Sequence, residues 1–145
     1  MTTTIRVRSE LLARDAMSTP VASVTDTSPI WDAWNLAITR GIHHVVVVSG
    51  DHCAGVITDR QLMAAWHHGA DILRTTPIKQ LLLARTSCVL PDAPLRQAAT
   101  LMSADHVDAV PVVDESGRLL GLITAGDIVH AVAQHGVTKA HGNQD

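Results

Sequence analysis

Apolar positions follow two rhythms along this chain, and the same succession of rhythms occurs twice. Short, nearly unbroken apolar runs at residues 45–48 and 54–57, and again at 110–113 and 119–123, have the length of strands. Their near-continuous apolar character predicts burial on both faces. Polar turn signals join each pair, Ser49, Gly50 and Asp51 in the first and Asp114, Glu115, Ser116 and Gly117 in the second. Ahead of each pair the spacing becomes helical. Ile30, Ala33, Trp34 and Ala37 follow an i, i+3, i+4, i+7 pattern, which Leu95, Ala98, Ala99 and Met102 repeat. Pro29 and Pro94 are expected in the first turn of these helices, where a missing N–H costs nothing. After each pair a second helix is predicted behind Thr58 or Thr124, burying Leu62, Ala65 and Trp66 in one case and Ile128, Ala131 and Val132 in the other. A short strand, at 21–24 and at 87–90, leads into each succession.

The two successions align residue by residue at an offset of 65 to 66. Val24 matches Val89, Pro29 matches Pro94, Ala33 matches Ala98, and Val45, Val47 and Val48 match Val110, Val112 and Val113. After a one-residue gap, Gly55, Val56, Ile57 and Thr58 match Gly121, Leu122, Ile123 and Thr124. A period this long, used only twice, favours two half-domains over a solenoid. The predicted fold is therefore α/β, with two pseudo-symmetric β-α-β-β-α repeats packed face to face. The expected organisation is an N-terminal segment at 1–9, a first repeat at 10–68, a linker at 69–76, a second repeat at 77–135 and a flexible tail at 136–145. Short helical stretches at 9–17 and 77–84 are expected to precede the two copies.

Composition narrows the classes of function. Hydrophobic residues make up 46% of the 145 and charged residues 17%, a balance that suits a folded chain. With no Phe or Tyr, the core must be aliphatic, and Trp31, Trp34 and Trp66 suit either core or an interface. A net charge of -3 gives no footprint for nucleic acid and no polybasic membrane patch. The longest apolar run is far short of a membrane span, and residues 1–9 lack the apolar centre of a signal peptide, so a cytoplasmic location is expected. Cys53 and Cys88 form no CxxC pair, and the sequence leaves open whether they bridge. The nine histidines show no metal-ligand spacing: His43 and His44 are adjacent, as are His67 and His68, and His130 and His135 are five apart. No nucleophile elbow, Walker loop or GxGxxG is present, so the expectation is ligand binding without catalysis and without a required cofactor or metal.

The chemistry suggested by the residues centres on Thr124 and Asp127. Thr124 stands just before a helix, where its hydroxyl and the first-turn N–H groups offer donors to a phosphate, favoured by the helix dipole. Asp127, one turn in, can accept hydrogen bonds from both hydroxyls of a ribose. The same pair also makes an ordinary helix cap. Both readings stay open. In the first copy the corresponding residues are Thr58 and Gln61, which keep the capping box but lose the anionic acceptor.

Strand, helix, strand, strand, helix, twice, with Gly121, Leu122, Ile123, Thr124, Ala125, Gly126 and Asp127 following Ala109, Val110, Pro111, Val112, Val113 and Asp114, resembles the CBS domain pair, or Bateman module. Arg14, Asp15, Ala16 and Met17 resemble its usual lead-in. The resemblance covers residues 14–134. It implies a regulatory module that binds AMP, ADP, ATP or a related adenosyl ligand and associates through its helices into disc-like homodimers. It further implies one site formed by Ile123, Thr124 and Asp127 with Met17, Val21, Ala22, His43 and His44. The imidazoles suit a phosphate. A second site, of Thr58 and Gln61 with Leu82, Thr86, Ser87, Asp108 and Ala109, is expected to be degenerate because Gln61 replaces the acid and Asp108 would repel a phosphate. The effector protein is not named by the sequence. A structural dimerisation module with vestigial sites is the alternative.

Overall fold

The computed structural model describes residues 10–83 and 86–135. In chain order these form α1 (Ala13–Ala16), β1 (Ser23–Thr25), α2 (Ile30–Arg40), β2 (His44–Ser49), β3 (His52–Thr58), α3 (Asp59–Trp66), α4 (Ala70–Thr75), a 3-10 helix (Ile78–Leu81), α5 (Leu95–Asp105), β4 (Ala109–Val113), β5 (Leu119–Thr124) and α6 (Ala125–His135). The segment 1–9 and the tail 136–145 lie outside the described residues, as do Ala84 and Arg85.

The continuous valine run of β2 is explained by what lies on each side of it. Val45 and Val47 pack with Ile57 against Ile30, Ala33 and Leu62 of α2 and α3. Val46, between them, points the other way and meets Ala109 and Leu122 of the second repeat. A strand alternates its side chains between two faces, so only an unbroken apolar run serves two cores at once. The second repeat has the same plan, with Val110, Val112 and Ile123 against Leu95, Ala98 and Ala131. The Val46 layer is where the repeats pack face to face, and Val46 and Leu122 each contribute about 1.5–3 kcal/mol on burial.

The two sheets are nevertheless unequal. In the first repeat β1 runs parallel to β2, and β2 antiparallel to β3. In the second, β4 and β5 pair antiparallel, but the strand expected at 87–90 is reduced to a single parallel bridge of Val89 with Val112. Proline explains the loss. The Val46 N–H donates to the Ala22 carbonyl at 3.0 Å, whereas the residue aligned with Val46 is Pro111, which has no N–H to offer Ser87. The ladder begins only at Val89, whose N–H donates to the Pro111 carbonyl at 3.0 Å and whose carbonyl accepts from Val113 at 2.9 Å.

Other local expectations shift for similar reasons. Pro29 and Pro94 stand at the N-cap positions of α2 and α5, one residue ahead of the first turn, with φ of -66° and -59°. The helix foreseen at 9–17 is one turn long among the described residues, and that at 77–84 is a four-residue 3-10 helix. The connecting segment 69–76 contains α4, whose Leu73 is fully buried with Ile30 and Ile78. Each lead-in also packs on the opposite copy. Ala13 and Met17 join the core of the second repeat, with Leu95 donating to the Leu11 carbonyl at 2.7 Å. Ile78 and Leu82 join the first, with Ile78 donating to the Ser28 carbonyl at 2.7 Å. No helix among the described residues is long and apolar enough to cross a membrane.

Candidate functional site

Two clefts open where one repeat's last strand enters its closing helix beside the other repeat. The larger, of about 540 Å³, is lined by Thr124, Ala125 and Gly126 at the start of α6, by Val21 and Ala22, and by Ile42, His43 and His44 ahead of and within β2. That is a volume suited to a small-molecule ligand. The smaller, of about 330 Å³, gathers Thr58 and Gln61 with Thr86, Ser87, Asp108 and Ala109.

At the mouth of α6, Thr124 and Asp127 form a reciprocal cap. The Asp127 N–H donates to Thr124 Oγ1 at 3.2 Å, and the Thr124 N–H donates to Asp127 Oδ2 at 2.8 Å. The other carboxylate oxygen, Oδ1, accepts from the exposed Ser18 hydroxyl at 3.2 Å. Each oxygen of an ionised carboxylate has two acceptor positions, so capping leaves capacity for further donors. The Ala125 N–H is taken by the Asp108 carbonyl at 2.9 Å. Of the first-turn amides, Gly126, which lines the cleft, is the one outside these bonds.

Gln61 occupies the aligned position of the smaller cleft and uses both ends of its amide. Its Oε1 accepts from the Thr58 N–H at 3.0 Å, and its Nε2 donates to the Leu81 carbonyl at 3.0 Å. A carboxylate cannot make the second bond.

The histidines are not free donors. His43, with its side chain 76% exposed, contacts Asp59 through Nδ1 at 2.8 Å, and His44, only 12% exposed, contacts Asp108 through Nε2 at 2.8 Å. The hydrogen bond from His43 holds the Asp59 carboxyl below the usual carboxylate range, and His44 does the same to Asp108. Asp108, expected only at the second site, lines both clefts, as does His44. The pair is a polar wall shared by the two.

Four expected residues are not among those lining a cleft. Asp127 stands just behind the lining of the larger one, tied to it through Thr124 and Ser18. The side chain of Ile123 is fully buried in the core of the second repeat. Met17 closes on Gly121, where an added Cβ would lie 2.6 Å from its sulfur, and Leu82 closes on Gly55 in the same way, also at 2.6 Å. These glycines let the opposite lead-in approach the strand. Leu83 stands in the smaller cleft in place of Leu82. Arg40, in the last turn of α2, lines the larger cleft and is the cation that sequence reasoning passed over; its signal was its place just before Gly41 and the histidines. Among the described residues, no three His, Cys, Asp or Glu side chains come together as a metal site.

The comparisons with known proteins bear on the family and the fold. The CBS domain model matches residues 13–68 and 70–134. A homoserine O-acetyltransferase from Methanosphaerula palustris is 28% identical over 115 residues, covering 79% of this chain and 22% of that protein. The chain spans about a fifth to a quarter of the length of the first curated relatives it matches. The CBS domain pair of protein MJ0100, solved with 5'-methylthioadenosine and S-adenosyl-L-methionine, superposes at a TM-score of 0.76 and 24% identity, over 87% of this chain and 98% of that one. CBSX2, solved with AMP, gives 0.73 at 24% identity, over 85% and 96%. With both of its repeats matched in order by the family model, this chain belongs to the CBS domain family, as a tandem pair.

Proposed function

We propose that this CBS pair is a regulatory sensor of an adenine nucleotide or adenosyl ligand, bound in the Thr124 cleft. The observation that carries the reading is Asp127, an acid held beside the cleft by bonds to two residues that line it, Thr124 and Ser18, while its carboxylate keeps acceptor capacity for ribose hydroxyls. Val21, Ala22 and Ile42 supply apolar surface for a base, and Gly126 with Arg40 supplies donors for an anionic group. The histidines then act through the wall they form with Asp59 and Asp108. The adenosyl compounds held by MJ0100 and the AMP held by CBSX2 support the ligand class. AMP, ADP, ATP and S-adenosylmethionine share the ribose and adenine that such a site reads. Gln61, whose amide is already engaged at both ends, makes the smaller cleft the weaker one.

A thermal-shift panel of these four compounds tests the reading. A ligand that binds only the native state stabilises it by about 2.7 kcal/mol at one hundred times its dissociation constant. Asp127→Ala is expected to abolish that gain while costing the unliganded fold about 1 kcal/mol. No shift with any compound overturns the reading; a shift that survives in Asp127→Ala moves the ribose elsewhere.

The helices support an accompanying homodimer. Met63 and Trp66 of α3 and Val129 and Val132 of α6 leave apolar side chains on the surface, Met63 59% and Val129 69% exposed. Trp66 stacks on Trp34 and Trp31, at centroid distances of 5.1 and 6.2 Å, with Arg74 over Trp31 at 4.8 Å. Sedimentation is expected to give a dimer at micromolar concentration, and Met63→Glu combined with Val129→Glu a monomer. A monomeric wild type ends the dimer proposal.

A further inference from the structure

Neither cleft uses the two cysteines, yet the fold brings them together from opposite repeats. Cys53 lies on β3 opposite Val48, its N–H donating to the Gly117 carbonyl at 3.0 Å, and its side chain packs into the layer that contains Val46, Ala109 and Leu122. The segment entering the second repeat passes along the same strand. Thr86 Oγ1 stands 3.0 Å from where a Cβ on Gly55 would be. Two residues later comes Cys88; its neighbour Val89 is buried in the second repeat's core, so by strand alternation the Cys88 side chain faces the layer between the repeats, where Cys53 lies, and the two thiols influence each other's ionisation. Cys88 Sγ also lies 3.8 Å from the Thr86 carbonyl oxygen, and the next residue, Val89, is tied to β4 by two backbone bonds. Both ends of the contact are therefore held by the backbone. Both cysteines are only partly buried.

We propose that Cys53 and Cys88 are a redox modification site, closing a reversible intrachain disulfide that fastens the first repeat's β3 to the entry of the second repeat. Thiolate is the reactive form, and the first step runs alike from either sulfur, here Cys88. With a hydroperoxide as oxidant, the Cys88 thiolate attacks the terminal peroxide oxygen. An S–O bond forms, the O–O bond breaks, and the departing oxygen takes up a proton as water or alcohol. Cys88 is then a sulfenic acid, two electrons more oxidised. Cys53 attacks its sulfur; the S–S bond forms, the S–O bond breaks, and the Cys53 proton leaves with the hydroxide as water. Overall two thiols and one peroxide give a disulfide, one water and one water or alcohol. A dithiol reverses it by exchange.

The bridge closes a loop that carries α3, α4 and the 3-10 helix. It also fixes Ser87 and Thr86, which line the smaller cleft, against β3. No ligand is needed for it to form, so its test is independent of nucleotide binding.

The test treats the purified full chain with equimolar hydrogen peroxide at low protein concentration. Digestion without reductant, followed by mass spectrometry, is expected to give the Cys53 and Cys88 peptides joined with the loss of two hydrogens. Free thiols should fall to near zero and return with dithiothreitol. The oxidised chain should melt several degrees above the reduced one, as constraint of the unfolded chain requires. In Cys53→Ser, which has no resolving thiol, the oxidised Cys88 should persist as a sulfenic acid that dimedone labels. Thiols that stay titratable after peroxide, or disulfides found only between chains, overturn the proposal; both are read on the wild type, so a poorly folding variant does not affect them.

Discussion

The two clefts open at equivalent caps, Thr58 and Thr124, and among their differences the most telling is one side chain at the third position of the closing helix. In one, Asp127 accepts from its own cap and spends its outer oxygen on a single exposed hydroxyl, that of Ser18. In the other, Gln61 accepts from its cap and donates to the Leu81 carbonyl, anchoring the 3-10 helix that leads into the second repeat. Both residues complete a capping box, so helix initiation does not select between them. What separates them is the unused side of the group: the acid retains acceptor capacity, and the amide is occupied by structure. A second contrast runs through the sheets, where Val46 donates to Ala22 and its counterpart Pro111 donates nothing.

The sheet contrast gives the largest expected effect. Val46→Pro should remove the bond to Ala22 from a fully buried position and cost about 1–3 kcal/mol. The reverse change, Pro111→Val, supplies an N–H facing Ser87. The new bond is worth about 0.5–1.5 kcal/mol, against about 0.4–1 kcal/mol from the lost rigidity of proline. Denaturant melts should therefore separate the first variant widely from wild type and the second hardly at all. Hydrogen exchange should find the new amide of Pro111→Val protected. If Val46→Pro melts like wild type, the ladder does not explain the asymmetry.

Gln61→Asp sharpens the cleft contrast. Losing the donor to Leu81 should lower unliganded stability by about 1 kcal/mol. Under the proposed function it also adds a ribose acceptor, and calorimetry should move from one nucleotide per chain towards two. Unchanged stability would show that the amide's second bond carries no weight.

The smallest effect concerns the wall between the clefts. His44 depresses the Asp108 carboxyl, so the contribution of this group is fully present above the usual carboxylate pKa near 4 and fades as pH falls through the lowered folded value. Because Asp108 is more than half exposed, the contribution is expected to stay under about 1 kcal/mol. Wild type should lose slightly more stability than Asp108→Asn as acid is added below pH 4, in urea melts taken across that range. Parallel curves would remove the ion pair from the account.

Much of this molecule is written locally. The apolar runs at 45–48 and 110–113, the helical spacing after Pro29 and Pro94, and the repeated Gly-x-x-Thr turns each depend on neighbours within a few residues, and they led to the elements and the two-repeat plan. Even the shortened first strand of the second copy was legible in principle, since proline's missing N–H travels with the residue. The capping chemistry of Thr124 and Asp127, and of Thr58 and Gln61, was equally local.

The rest depended on contacts between elements well separated along the chain, for which no spacing rule exists. Tertiary structure decided that each lead-in packs on the other copy, that α4 buries Leu73 within the first core, and that Arg40 reaches the larger cleft. It turned the two histidines from free donors into partners of Asp59 and Asp108, and it set Cys53 beside Cys88. The sequence determined which groups could cap, pack or titrate, because those properties belong to single residues and their near neighbours. Which of them meet was decided by the face-to-face packing of Val46, Ala109 and Leu122, because burying that layer fixes the relative position of everything attached to it.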